Sequence, residues 1–160
     1  MKLQIIALLS LALAIGACSD KKSPDEIIND KASLPEALNW EKAGYKVITS
    51  FIDKKDSTMS ILYGNDLARK AFIASENKIA PNEMLALITW KQKADENWFG
   101  ANIPGSVKTI ELIKTSDSKN GATSISYNLY NGKEFTPSTD TANNQARVKY
   151  IFSQQSSVMP

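Results

Sequence analysis

The sequence predicts an α+β fold, a mostly antiparallel β-sheet with two helices in a single domain. Three observations predict it. Several stretches alternate apolar and polar residues at the period of two that a half-buried strand requires. Asn120-Gly121 and Asn131-Gly132 are tight-turn signals of the kind that join antiparallel neighbours. Two other stretches place apolar residues at helical spacing instead.

Residues 1–17 belong to none of these elements. Lys2 supplies one charge, and an apolar run of roughly 13 residues follows from Ile5 to Ala17, broken only by Ser10. That is the pattern of a secretory signal. A helix that spans a bilayer needs about 20 apolar residues, so the run is too short for a permanent span. It ends Ile15-Gly16-Ala17-Cys18. Small residues before the cut and a cysteine after it match a bacterial lipobox. Cys18 is therefore the expected lipidation site, and the partner it implies is a lipid bilayer reached through acyl chains. The competing reading is an ordinary signal peptide with an incidental cysteine. Ser19, where an aspartate would favour inner-membrane retention, favours the outer membrane, facing the periplasm or the cell surface. Residues 18–38 read as the lipidated N-terminus and a flexible polar tether, and 39–160 as the folded domain.

Pro35 to Trp40 reads as an entry turn. Tyr45 to Ile52 is a strand with Tyr45, Val47, Thr49 and Phe51 on one face. Asp53 to Asp56 is a polar turn, and Thr58 to Tyr63 is a second strand with Met59, Ile61 and Tyr63 on one side. Gly64-Asn65-Asp66 ends it. Asn65 or Asp66 caps a helix to about Ser75, with Leu67, Ala68, Ala71 and Phe72 on one face. Met84 to Trp90 is a short, nearly continuous apolar run, so a buried central strand. Ser106 to Lys114 is the next strand, and Ile125, Tyr127 and Leu129 share a face of the one after. A last helix starts near Asp140 or Thr141, with Val148, Ile151, Phe152 and Gln155 at i, i+3, i+4 and i+7.

Composition excludes several functions. The chain has no histidine and a single cysteine. Ser-His-Asp and Cys-His catalysis, the common zinc and non-haem iron sites, and internal disulfides are therefore absent. Nineteen basic residues face seventeen acidic ones without a basic stripe, so nucleic acid is not an expected partner. No phosphate-binding glycine loop and no calcium-type loop is present.

Residues 58–113 are the most distinctive. They contain Tyr63-Gly64-Asn65-Asp66, then Leu87-Ile88-Thr89-Trp90-Lys91-Gln92, then Asp95-Glu96-Asn97-Trp98-Phe99-Gly100-Ala101-Asn102-Ile103-Pro104-Gly105. Their order and spacing resemble the cytochrome P-460 domain family, from about Trp40 to the end of the chain. The resemblance implies a periplasmic, mostly antiparallel β protein, often a homodimer. In the haem-bearing members it implies hydroxylamine oxidation or nitric oxide binding. The Cys-x-x-Cys-His motif is missing here, so no haem ligand carries over and no cofactor is expected. The leading expectation is an envelope lipoprotein that binds a small ligand or partner. The alternatives are a periplasmic enzyme or gas-binding protein with non-covalent haem held by Tyr, Met or Lys, or a purely structural lipoprotein.

The candidate pocket or loop residues are Trp90, Trp98, Phe99, Gly100 and Tyr127. Trp90 reads as core. Trp98 and Phe99 read either as a plug that packs the loop on the sheet or as a pocket rim, with Gly100 giving close backbone approach. Tyr127 and Tyr130 lie on opposite faces by alternation, so only one lines a given cavity. Asp95, Glu96 and Glu111 read as solvated charges, Glu111 pairing with Lys108 or Lys91. No catalytic residue is identified.

Overall fold

A computed structural model describes residues 28–157 apart from 39, 76–78, 119–121 and 141. Six strands form one antiparallel sheet in sequence order: β1 (Lys46–Asp53), β2 (Thr58–Gly64), β3 (Met84–Ala94), β4 (Asn102–Asp117), β5 (Thr123–Asn131) and β6 (Thr136–Pro137). Helix α1 (Asp66–Ile73) joins β2 to β3, and helix α2 (Asn144–Phe152) follows β6. The expected α+β architecture is present, with a two-residue edge strand, β6, that alternation over so short a stretch does not signal.

Both faces of the sheet are covered. On one, Ile48, Leu62, Leu85, Leu87 and Ile113 meet Ala68 and Phe72 of α1 and Ile151 of α2. The rings of Phe72 and Phe152 stack at 6.4 Å, so the two helices also touch each other. On the other, Ile88, Trp90, Val107 and Ile110 pack under Leu38, with Ala32, Leu34 and Trp40 around them. This explains the unbroken apolar run in β3, because a strand buried on both faces has no polar side to alternate with.

The second cover is a strap made of residues 28–38, the part assigned to the tether. It does not hang free. The backbone carbonyl of Lys31 accepts from the Val107 N–H at 3.3 Å, and that of Ala32 accepts from Trp90 Nε1 at 2.8 Å. Polar composition hid this, because the strap docks through backbone groups and a few small or apolar side chains.

Gly64 and Asn65 fix how α1 leaves the sheet. A Cβ on Gly64 would lie 2.7 Å from Ile48 Cδ1 and 3.0 Å from the Ala68 Cβ of α1, so a side chain here would crowd both strand β1 and the helix. Asn65 is the N-cap. Its Oδ1 accepts from the Ala68 N–H at 3.0 Å, and its Nδ2 donates to the Asn82 carbonyl at 2.8 Å. One side chain thus satisfies a helix-end donor, a role contributing about 1 kcal/mol, and also ties the helix start to the approach of β3.

Three element boundaries differ from the sequence expectation. A bulge between Val47 and Thr49 breaks the alternation of β1, so Val47 is exposed while Ile48 and Thr49 are buried. Ser157 from the C-terminal tail docks there, its N–H donating to the Ile48 carbonyl at 3.0 Å. β4 begins at Asn102 and runs through Pro104 and Gly105, where a Cβ on Gly105 would lie 2.9 Å from the Lys91 carbonyl oxygen. Finally, α2 starts at Asn144, after Asp140, and ends before Gln155. Asp140 instead accepts the Ala142 N–H in the preceding turn. Cys18, the leader, Thr141 and the Asn120-Gly121 turn lie outside the described residues.

Candidate functional site

The α2 side of the sheet is only partly filled. α1 covers the end near Gly64 and Leu85. Toward the other end a cavity of about 840 Å³ lies between the sheet and α2. Its floor is Ser60, Leu87, Thr89, Thr109 and Glu111, and its walls include Phe51, Tyr127, Asn143, Arg147 and Tyr150.

Glu111 organises this space. Its position in β4 puts it on the helix face, where it is 3% exposed. Ionised carboxylates are costly to bury without partners. Here three donors meet it. Arg147 Nε donates to Oε1 at 2.9 Å and Arg147 Nη2 to Oε2 at 2.7 Å, while the Tyr127 hydroxyl donates to Oε1 at 2.6 Å. The fork matches the carboxylate in the two-point geometry that only a guanidinium offers. The guanidinium carbon of Arg147 also lies 4.8 Å from the centroid of the Tyr150 ring, and Tyr150 meets Phe51 edge-on. α2 is held over the cavity by this chain of contacts.

The electrostatics follow from the same geometry. Tyr127 is held well above the usual phenol range, first by burial and then by its hydrogen bond to the Glu111 carboxylate. The bond to Glu111 raises Arg147 further, so its positive charge is secure. Around the cavity four carboxylates (Asp53, Asp56, Glu111, Asp140) stand beside three cations (Lys54, Lys108, Arg147). No strong field of either sign results. Thr109, Asn143 and Asn144 bring hydroxyl and amide groups to the lining, and none of these side chains has a hydrogen-bond partner among the described residues.

Of the five candidate pocket or loop residues, only Tyr127 lines this cavity. Trp90 is core, on the opposite face of the sheet. Trp98 and Phe99 do not plug the sheet and are not in the lining of this cavity; they stand exposed at the turn between β3 and β4, and Gly100 beside them has nothing within 4 Å of a Cβ position. Tyr127 and Tyr130 do face opposite sides, packing against the two different cores. Asp95 and Glu96 are local surface groups. Asp95 accepts the Asn97 N–H, and Glu96 pairs with Lys93. Glu111 departs from the expectation in both respects, since it is buried and its partner is Arg147 rather than a lysine. Its place between Ile110 and Leu112 was the signal that a partner was needed. The alternation of Tyr127 and Leu129 gave the face, but nothing local connects them to Arg147, 36 positions beyond Glu111.

The residues around the cavity do not fit haem. The lining has neither histidine, methionine nor cysteine. The Tyr127 hydroxyl keeps its proton and is already engaged with Glu111, so it is not the phenolate that iron would need. Tyr150 lies against the Arg147 guanidinium, and Lys54 and Lys108 are exposed cations. Among the described residues, no three His, Cys, Asp or Glu side chains are grouped to hold a metal ion.

The Glu111–Arg147 pair is expected to carry measurable stability. Arg147→Met leaves the carboxylate buried and uncompensated, at a cost of about 2–3 kcal/mol, below the range for a fully buried pair because the guanidinium keeps contact with water. Adding Glu111→Leu and Tyr127→Phe to that variant restores most of the loss, because no charge or hydroxyl is then orphaned. Urea midpoints measure both; a combined variant less stable than Arg147→Met alone would refute this account.

A pH dependence follows from Tyr127. Its folded pKa lies above its ordinary value of 10.0, so its stabilising contribution is complete below about pH 10 and is lost as the pH rises through the folded value. Tyr127→Phe has no such loss. Its stability deficit against the wild type is therefore expected to narrow above pH 10 in denaturant titrations, and a constant deficit would contradict the assignment.

No family model matches the chain, and no curated protein matches it in sequence.

Proposed function

We propose that this chain is a lipid-anchored protein of the bacterial cell envelope whose domain binds a small, uncharged, polar ligand in the cavity under α2. The observation that carries the ligand reading is the lining: unpartnered hydroxyl and amide groups beside aromatic and aliphatic surface, with charges of both signs in near balance. Ligand sites generally combine apolar walls with a few convergent polar groups. An anion would meet the carboxylates Asp53, Asp56 and Asp140, and a cation would meet Lys54 and Lys108. A neutral molecule with hydroxyl or amide groups on one side and a C–H face on the other avoids both conflicts. Sugar-like compounds have that chemistry. The resemblance to the cytochrome P-460 family is compatible with this reading as a version of the fold that has given up covalent haem.

The anchoring half rests on Cys18 and the apolar run before it. Labelled palmitate is expected to enter the wild-type chain in growing cells and not the Cys18→Ser variant. Equal labelling of both, or of neither, would remove the lipoprotein reading.

The ligand half is tested by saturation-transfer NMR on the purified chain with neutral mono- and disaccharides and with their carboxylated and phosphorylated analogues. The expected result is transfer to neutral compounds that disappears in Asn143→Ala and in Thr109→Val. Binding restricted to the anionic analogues, or a stoichiometric Soret shift on adding haemin, would overturn the assignment.

A further inference from the structure

β3 and β4 outrun their neighbours. Pairing with β2 stops at Lys91 and pairing with β5 begins at Thr109, yet β3 and β4 remain paired out to Ala94 and Asn102. A two-stranded arm therefore projects from one end of the sheet. Its loop, residues 95–101, carries Trp98 and Phe99 side by side, 73% and 109% exposed. A single exposed aromatic needs no explanation. Two adjacent ones at the end of a projecting arm make a compact apolar point, and an indole with its polar N–H suits the boundary between acyl chains and headgroups.

The second observation is where the chain enters the fold. Asn29 Nδ2 donates to the Pro104 carbonyl at 2.8 Å, and the Lys31 carbonyl accepts from Val107. The start of the strap thus lies on the arm itself. Pro104 is two residues from the arm's last pair, about 7 Å of strand. Lys133 Nζ holds the same segment through Asp30 at 2.7 Å. Between Ile28 and Cys18 there are ten residue steps, which reach at most about 35 Å whatever conformation they take. Cys18 therefore lies within about 35 Å of a point on the arm, close enough for an anchor at that cysteine and the arm tip to reach one surface together.

We infer that the Trp98–Phe99 tip inserts into the interfacial layer of the same bilayer that holds the Cys18 acyl chains, giving the protein a second point of membrane contact. The inference rests on the lipidation reading. The tip itself, Asn97 to Ala101, carries no charge; at its base Glu96 is paired with Lys93 at 2.7 Å and Asp95 leaves one net negative charge, which does not attract anionic headgroups. Insertion is thus driven by apolar burial rather than by attraction to anionic headgroups, and zwitterionic lipid suffices. The acyl anchor confines the tip near the surface, so a contact too small to bind alone becomes effectively intramolecular.

The test uses the full lipidated chain reconstituted into phosphatidylcholine vesicles, with and without brominated acyl chains. Trp40 and Trp90, enclosed against the sheet, supply the background emission. Brominated lipid is expected to quench the wild type, and that quenching is expected to vanish in Trp98→Phe. Flotation of the same samples reports anchoring separately. Vesicle-bound protein with equal quenching in both chains would overturn the inference while leaving the anchor intact, and would turn attention to a second copy or another protein as occupant of the tip. A chain that does not float with vesicles would remove the anchor and the inference with it.

Discussion

A single buried carboxylate sets the constraint that the helix face of the sheet must meet. Glu111 interrupts the apolar pattern of β4, where burial without donors would oppose folding. Its donors come from two elements remote in sequence, Tyr127 one strand over and Arg147 on the last helix. That requirement fixes the rotation of α2, because Arg147 must point at the sheet while Ile151, one turn later, enters the apolar cluster. The cavity follows from the same arrangement. Arg147 reaching Glu111 and Ile151 entering the apolar cluster hold the helix over the sheet, and the space between is lined from Asn143 and Asn144 to Tyr150 and Gln154. Such a pair is weak evidence for added stability relative to an apolar replacement, and its stronger role is to specify one geometry.

The opposite face obeys a different logic. Ile88, Trp90, Val107 and Ile110 would form an exposed apolar sheet surface if nothing covered them, and only the short helical turns Glu36–Leu38 and Trp40–Ala43 are available on that side. The strap provides the cover with few residues. Leu38 is buried, and Trp90 is satisfied at its only donor by the Ala32 carbonyl. A tryptophan buried without that bond would leave an orphaned N–H. The segment that leads away from the fold is therefore also a structural part of it, which couples the path of any N-terminal anchor to the integrity of the core.

Local rules recovered what local physics determines. Alternation found β1, β2 and β5, the unbroken apolar run found β3, and Asn65 was among the caps proposed for the first helix because a short polar side chain before Leu67-Ala68 has few other uses. The misses share a cause. The bulge at Ile48 shifts burial by one residue, and what occupies it is Ser157, a tail residue more than a hundred positions away. The strap reads as a tether because its docking uses carbonyls, which no side-chain pattern reports. Trp98 and Phe99 read as a plug or a pocket rim because large aromatics usually bury themselves or line a site, whereas here the arm carries them clear of the sheet. For Glu111 the need for a partner was legible and the partner was not. Lys108 is three residues away and Lys91 is on the neighbouring strand, but a lysine offers a point charge where a two-oxygen acceptor in a dry site favours a planar fork. The chain has only two arginines, and one of them fills that position.

The ends of the sheet are not equivalent, and that inequality links the fold to its proposed setting. At one end Gly64 lets α1 seat against Ile48 and Leu85, closing the interior. At the other, the β1–β2 turn with Asp53, Lys54 and Asp56 forms a wall of the cavity, and Gln92 at the root of the arm binds the Ser57 carbonyl through its backbone N–H. Cavity wall, arm and strap entry thus share one end. On the proposed anchoring, the ten residue steps from Cys18 to Ile28 let that end stand up to about 35 Å from the bilayer, so the tether brings the arm within reach of the surface and the tip contact would have to supply the orientation. The same polarity gives α1 a simple role, because a helix that closes the far end of this face against Ile48 and Leu85 leaves the larger space beneath α2.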